Sequence, residues 1–188
     1  MFNTILAVDS HITAFITNLI PHSIFFDVAF SFLSLKGYSI LIWVIILGLI
    51  IFIEEKRNKK FIILFFSAFI LTAFIASVPL KMVFHRQRPI PNKLYSKIAC
   101  PTDYSFPSGH AATAFAAAGI LVYYDKKRAW LYYLVAFLVS LSRIYLQCHY
   151  LLDVVSGATI GLIISRILLY LFEKKQLEKK VIKKTTQH

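Results

Sequence analysis

Long apolar runs separated by short polar clusters set the pattern of this chain. Five of the runs predict membrane-spanning helices: Tyr38–Ile53, Phe61–Leu80, Gly109–Tyr124, Ala129–Leu146 and Leu151–Phe172. Crossing hydrocarbon takes roughly 20 apolar residues, with about 17 at the short end. The first and third runs are short by that measure, so they recruit flanking residues or cross a thinned bilayer. Ahead of them, Ile5–Ile20 and Ile24–Leu35 are apolar on one side but interrupted by Asp9, His11, Asn18 and Asp27, which predicts helices lying at the interface and leaves a sixth span open. Pro21 breaks the two apart and Gly37 ends the second. From Glu173 onward Lys and Glu dominate, which suits a solvated helical extension or a frayed tail. The expected fold is an all-α, polytopic membrane bundle of about five spanning helices. Residues 1–172 form one membrane-embedded domain in this reading, and 173–188 a basic cytoplasmic tail.

Composition agrees with the pattern. Of 188 residues 58% are hydrophobic and only 16% charged, with a mean hydropathy of +0.67, far from the usual soluble mixture. A net charge of +12 raises nucleic acid as a partner. Such a binder carries its Lys and Arg on one soluble face, whereas here they sit between apolar runs, so no nucleic-acid partner is expected. Two cysteines, Cys100 and Cys148, are too few for a disulfide scaffold and lack zinc-ligand spacing, so no metal or cofactor is expected either. The first residues lack the basic start and cleavage site of a signal peptide.

Lys and Arg also orient the chain. Those in Glu54–Lys60, in Asp125–Arg128 and beyond Phe172 number thirteen and fall on one side if the spans alternate; seven fall on the other. The richer side is expected to be cytoplasmic, in a cell membrane.

Three polar groups converge on the opposite, outer face. Lys81 ends the second span and Arg88-Pro89 follows seven residues later; Pro107-Ser108-Gly109-His110 opens the third span; Arg143, His149 and Asp153 occupy the junction of the fourth and fifth. Two guanidinium groups and an ammonium suit a dianionic phosphate better than one carboxylate. Free backbone N–H groups at the helix start of Ser108 and Gly109 extend the same cradle. His149 and Asp153, four positions apart, share a helix face, so the carboxylate holds one imidazole nitrogen and leaves the other aimed at phosphorus. His110 is then the proton donor to the leaving oxygen. Taken singly, a Lys or Arg at a span end anchors to headgroups; three spaced groups on one face favour catalysis.

These three segments, Lys81 through Arg88-Pro89, Pro107-Ser108-Gly109-His110, and Ser142-Arg143 with His149 and Asp153, resemble the signatures of the type 2 phosphatidic-acid phosphatase family, which shares its site with vanadium haloperoxidases. The resemblance implies a metal-independent lipid phosphohydrolase with a phosphohistidine intermediate. It makes Lys81, Arg88, Ser108, Gly109 and Arg143 phosphate ligands, His149 the nucleophile, Asp153 its partner and His110 the acid. For a small outward-facing member it points to undecaprenyl diphosphate as substrate, with phosphatidylglycerophosphate, phosphatidate and lipid A phosphates as alternatives, and a phosphotransferase as a second reaction class.

Several residues fall outside this pattern. His85, Arg86, Lys93 and Lys97 are expected to contact headgroups or solvent. Asp27 and Arg166 lie in apolar surroundings, where charge is a functional candidate by default; an interfacial Asp27 facing water and an Arg166 reaching the cytoplasmic surface are the simpler readings. Cys100 and Cys148 fall on the outer side, where a disulfide and two free thiols are both open.

Overall fold

The computed structural model describes residues 2–34, 41–48, 59–89 and 100–185. Among them the regular structure is entirely helical. Two helices start the chain, α1 (Phe2–Leu19) and α2 (Ile24–Ser34). Residues 41–48 are helical (α3); the rest of the expected first span, with Gly37, Lys93 and Lys97, lies outside the described residues. Then follow α4 (Lys59–Ser77), the short α5 (Pro79–Phe84), α6 (Gly109–Tyr124), α7 (Ala129–Tyr145) and α8 (Leu151–Thr185).

The second expected span runs as one apolar stretch, Lys59–Phe84, interrupted at a single turn residue, Val78. Pro79 cannot donate its backbone nitrogen and is tolerated only in a first helical turn, so α4 stops and α5 restarts there. At the other end of the chain the Lys- and Glu-rich tail continues α8, which runs 35 residues without interruption.

Helix α6 is the hub, packed against α4, α7 and α8. Its sequence explains this: Ala111, Ala112, Ala114, Ala116, Ala117 and Ala118 are all fully buried, so three neighbours approach its backbone closely. The approach is tightest to α8. A Cβ on Gly157 or Gly161 would run into the backbone oxygens of Ser108 and Ala112, the small-residue contact by which helices pack where lipid supplies no hydrophobic drive. Large apolar side chains face outward, including Ile63, Ile70, Phe74, Phe137 and Ile167. An exterior of that kind suits hydrocarbon rather than water. By length and composition, Lys59–Phe84 and Leu151–Lys179 are sufficient to cross a bilayer; α6 and α7, at 16 and 17 residues, are shorter.

Helix α1 keeps His11 and Asn18 exposed, as expected, but turns Asp9 inward. Asp9, Thr13 and Thr17, spaced four apart, form a buried stripe, while Val8, Phe15 and Leu19 are exposed. The stripe faces the start of α8 and the end of α7: the Asp9 carboxylate accepts from the Leu152 N–H at 3.0 Å, Thr13 Oγ1 from the Leu151 N–H at 2.9 Å, and the Thr17 hydroxyl donates to the Ile144 carbonyl at 3.3 Å. First-turn amides of a helix have no partner of their own, so α1 satisfies those of α8. Asp27 on α2 is likewise engaged, accepting from the Tyr145 hydroxyl at 2.5 Å.

Candidate active site

Three chain segments meet where α5, α6, α7 and α8 end or begin. The first leaves α5 at His85, whose left-handed backbone (φ 48°) redirects the chain into a non-helical run carrying Arg86 and Arg88. That run is pinned by Ser105, whose N–H donates to the Arg86 carbonyl at 2.7 Å and whose hydroxyl reaches the Gln87 carbonyl at 3.1 Å. The second is the start of α6, where the Ser108 hydroxyl caps the helix by accepting from the Ala111 N–H; the Ser108 N–H donates to the Asp153 carbonyl at 2.9 Å, tying α6 to α8. The third is the α7–α8 turn. With Gln147 at positive φ, it folds back so that the Cys148 and His149 N–H groups both donate to the Arg143 carbonyl, at 3.0 and 3.2 Å.

His149, Asp153, Lys81, Ser108 and Arg143 are all buried here, each 6% exposed or less. Arg88 joins them: its Nη1 donates to the Cys148 carbonyl at 2.7 Å and lies 3.0 Å from His149 Nε2. A guanidinium can only donate, so Nε2 is an acceptor and the imidazole proton sits on Nδ1. Nδ1 in turn lies 3.5 Å from Asp153 Oδ2. The Nε2 lone pair therefore opens toward the cations. Burial pushes the His149 imidazole well below its ordinary 6.5, and Arg143, Arg88 and Lys81 push the same way, which favours the neutral ring. His110, one residue into α6, lies within electrostatic reach of Arg143, His149, Lys81 and Arg88.

Two residues belong to this site that sequence reasoning did not assign. Asp103 bridges the cradle: one carboxylate oxygen accepts from Lys81 Nζ at 2.6 Å, the other from Arg88 Nη2 at 2.5 Å. Burial raises its affinity for a proton, but the hydrogen bonds from Lys81 and Arg88 outweigh this and hold the carboxyl below its usual range. A carboxylate held by these two cations demonstrates that they converge on one anion. Arg86 is the correction to the headgroup-or-solvent expectation. Its side chain is 13% exposed, and it donates to Asp153 Oδ1 at 2.7 Å and to Asp9 Oδ2 at 2.5 Å, stacked 4.0 Å over the Tyr150 ring. It falls outside the three-segment pattern, and the buried acids Asp9 and Asp153, 77 and 67 residues away, draw it in.

Cys100 and Cys148 are joined in a disulfide, Cα to Cα 5.4 Å. It ties the segment carrying Asp103, Ser105 and Pro107 to the residue beside His149.

Comparison with known proteins places the chain among relatives. Residues 61–177 match the model of the PAP2 superfamily. An undecaprenyl-diphosphatase of Sulfolobus acidocaldarius is 34% identical over 133 residues, 69% of this chain and 63% of the relative. The bacitracin transport permease protein BcrC of Bacillus licheniformis is 31% identical over 123 residues, 62% of this chain and 59% of the relative. The chain thus spans about three fifths of the length of these curated relatives. The crystal structure of Aquifex aeolicus LpxE superposes with a TM-score of 0.64 at 30% identity, covering 85% of this chain and 93% of that one.

Proposed function

This chain belongs to the PAP2 superfamily, and from that premise we propose that it is a membrane-embedded lipid phosphatase acting through a phosphohistidine. Lys81, Arg88 and Arg143, with the Ser108 hydroxyl and the Gly109 amide at the start of α6, bind the phosphate; the Ser108 amide is held by the Asp153 carbonyl instead. His149 Nε2 attacks phosphorus, and the bond to the leaving oxygen breaks as His110 protonates it. Asp153 keeps the imidazole proton on Nδ1 and balances the charge the ring gains. Water then attacks the phosphohistidine, releasing phosphate and restoring His149. Charge that develops on the phosphoryl oxygens meets three fixed cations and the Gly109 amide, so little reorganisation is needed as the reaction proceeds.

The observation that carries this reading is the 3.0 Å approach of Arg88 Nη1 to His149 Nε2. It puts the acceptor nitrogen of a buried neutral imidazole beside a cation that also holds an anion, Asp103.

Undecaprenyl diphosphate is the favoured substrate, since a relative 34% identical is named for it; phosphatidylglycerophosphate, phosphatidate and lipid A phosphates are the alternatives. About five spanning helices within residues 1–172 are part of the same reading, followed by a basic cytoplasmic tail over 173–188. The active site then faces out of the cytoplasm of a cell membrane. The Cys100–Cys148 disulfide supports that side, because disulfides persist in oxidising compartments.

A panel of lipid phosphates and diphosphates, assayed in detergent with chelator and no added acceptor, tests the reading. Phosphate release is expected from at least one lipid, with turnover of His149→Ala reduced at least about 1,000-fold in folded protein, a scale typical of losing a nucleophile. Release that needs a second lipid or sugar as acceptor favours a transferase instead. Near-normal turnover of the variant removes His149 as nucleophile.

A further inference from the structure

Some 20 Å from the catalytic histidines along α6, by the 1.5 Å rise of a helix between His110 and Tyr123, a second polar cavity opens. Its volume is about 450 Å³. It lies among α6, α7 and α8, with Tyr123, Lys126, Tyr133, Arg166, Tyr170 and Glu173 in its wall. Nothing in the proposed reaction uses it, and it is too far from His149 to share a phosphate.

Arg166 is the residue that needs explaining. It lies fifteen residues into the most apolar stretch of α8, about 22 Å from the start of that helix, short of the roughly 30 Å thickness of hydrocarbon. A guanidinium at that depth is costly unless it faces a cavity or a partner. Among the described residues it has no ion-pair partner; instead it borders the cavity, with Lys126 from the α6–α7 turn on the same wall. The single acid there, Glu173, is hydrogen-bonded by Tyr123. Two cations against one engaged carboxylate leave the cavity positive. The phenol groups of Tyr133 and Tyr170 add amphipathic rings of the kind found at headgroup depth.

The opening is not an accident of loose packing. Gly119, also in the wall, sits against Ser165, and a Cβ there would strike the Ser165 side chain. The close α6–α8 contact of Gly119 with Ser165 therefore forms part of the recess wall itself.

We propose that this recess binds the phosphate headgroup of an anionic phospholipid from the leaflet opposite the active site, with Arg166 and Lys126 as its ligands and acyl chains lying along the exposed Ile163 and Ile167 of α8. Arg166 supplies the paired donors that fit phosphate oxygens and Lys126 a point charge. The recess rests on the membrane reading and not on the catalytic one, and it would hold lipid as readily in an inactive protein. It gives the bundle a lipid-dependent clamp between α6, α7 and α8, the helices that carry His110, Arg143 and Asp153.

Native mass spectrometry of the full chain in detergent, with phosphatidylglycerol, phosphatidylcholine or inorganic phosphate added, tests the proposal. Phosphatidylglycerol is expected to stay bound at least tenfold more than phosphatidylcholine, and free phosphate not to compete at millimolar levels. The double substitution R166Q and K126Q should erase that preference, R166K with Lys126 intact should keep most of it, and K127Q with K175Q, outside the recess, should leave it unchanged. Turnover of the R166Q and K126Q protein, measured beside binding, separates this site from the catalytic one: loss of lipid preference with chemistry retained supports the proposal. Equal binding of the two lipids to the unsubstituted chain overturns it, as does an equal loss in the K127Q and K175Q control. Displacement of the lipid by free phosphate alone overturns the lipid as its source.

Discussion

Without its guanidinium at position 86, the carboxylates of Asp9 and Asp153 would be left buried with like charge and lost donors. Breaking one partner of such a group costs about 3–5 kcal/mol, because the remaining charges stay desolvated. Arg86→Ala is therefore expected to lower the thermal midpoint in detergent, and Arg86→Lys, which cannot span both acids in the same plane, to recover only part of it. An unchanged midpoint in Arg86→Ala would mean that the three groups do not support one another. Asp103 makes a different case. It is about half exposed and competes for Lys81 and Arg88 with any incoming phosphate. Since an exposed pair is worth about 1 kcal/mol at most, Asp103→Asn is expected to tighten inhibition by inorganic phosphate or vanadate by up to about fivefold. Weaker inhibition would make Asp103 an organiser of the cradle rather than a rival for it. The residues with fixed spacing along the chain, Lys81, Arg88, Ser108, His149 and Asp153, could be nominated from sequence. Arg86, Asp103 and Asp9 could not, since their contacts join positions 15 to 77 residues apart and no local pattern marks them.

At the scale of helices, the chemistry depends on how closely α6 and α8 approach. Ser108 and Asp153 are linked through backbone, and Gly157 and Gly161 permit that link by leaving no Cβ between the two helices. A side chain at Gly161 must displace α6, and overpacking of a tight contact costs about 1–3 kcal/mol. Gly161→Leu is expected to lower both stability and turnover, and Gly48→Ala, where a Cβ meets nothing, to change neither by much. Turnover and thermal midpoint of the two variants, measured together, check this; a normal Gly161→Leu enzyme would contradict it. The starts of α6, α7 and α8 at Gly109, Ala129 and Leu151 follow the apolar runs, because Pro107 and the charged turn 125–128 interrupt them sharply. The Pro79 break and the inward face of α1 were less legible. A proline within an apolar run does not reveal whether a helix bends or restarts, and a stripe of Asp9, Thr13 and Thr17 reads as water-facing until a partner with free amides is known.

For the molecule as a whole, exposed aliphatic and aromatic side chains flank two concentrations of charge, the buried cradle around His149 and the open recess bordered by Arg166. The sequence carried the bundle class because hydrocarbon allows few alternatives to helices. It carried the convergence of the three site segments only through the alternation of spans, and it left the disulfide between Cys100 and Cys148 open beside two free thiols, since two cysteines 48 residues apart fix no pairing until the fold brings them near. The proposed reaction turns on a bond between one nitrogen and phosphorus. Rapid quench of the protein with a lipid phosphate labelled on its terminal phosphate, followed by peptide mapping under alkaline conditions that preserve phosphoramidates, measures that bond directly. Label is expected on His149, appearing and decaying within one turnover and absent from His149→Ala; label on another residue, or complete turnover with no labelled peptide under conditions that preserve a phosphohistidine standard, would contradict the mechanism.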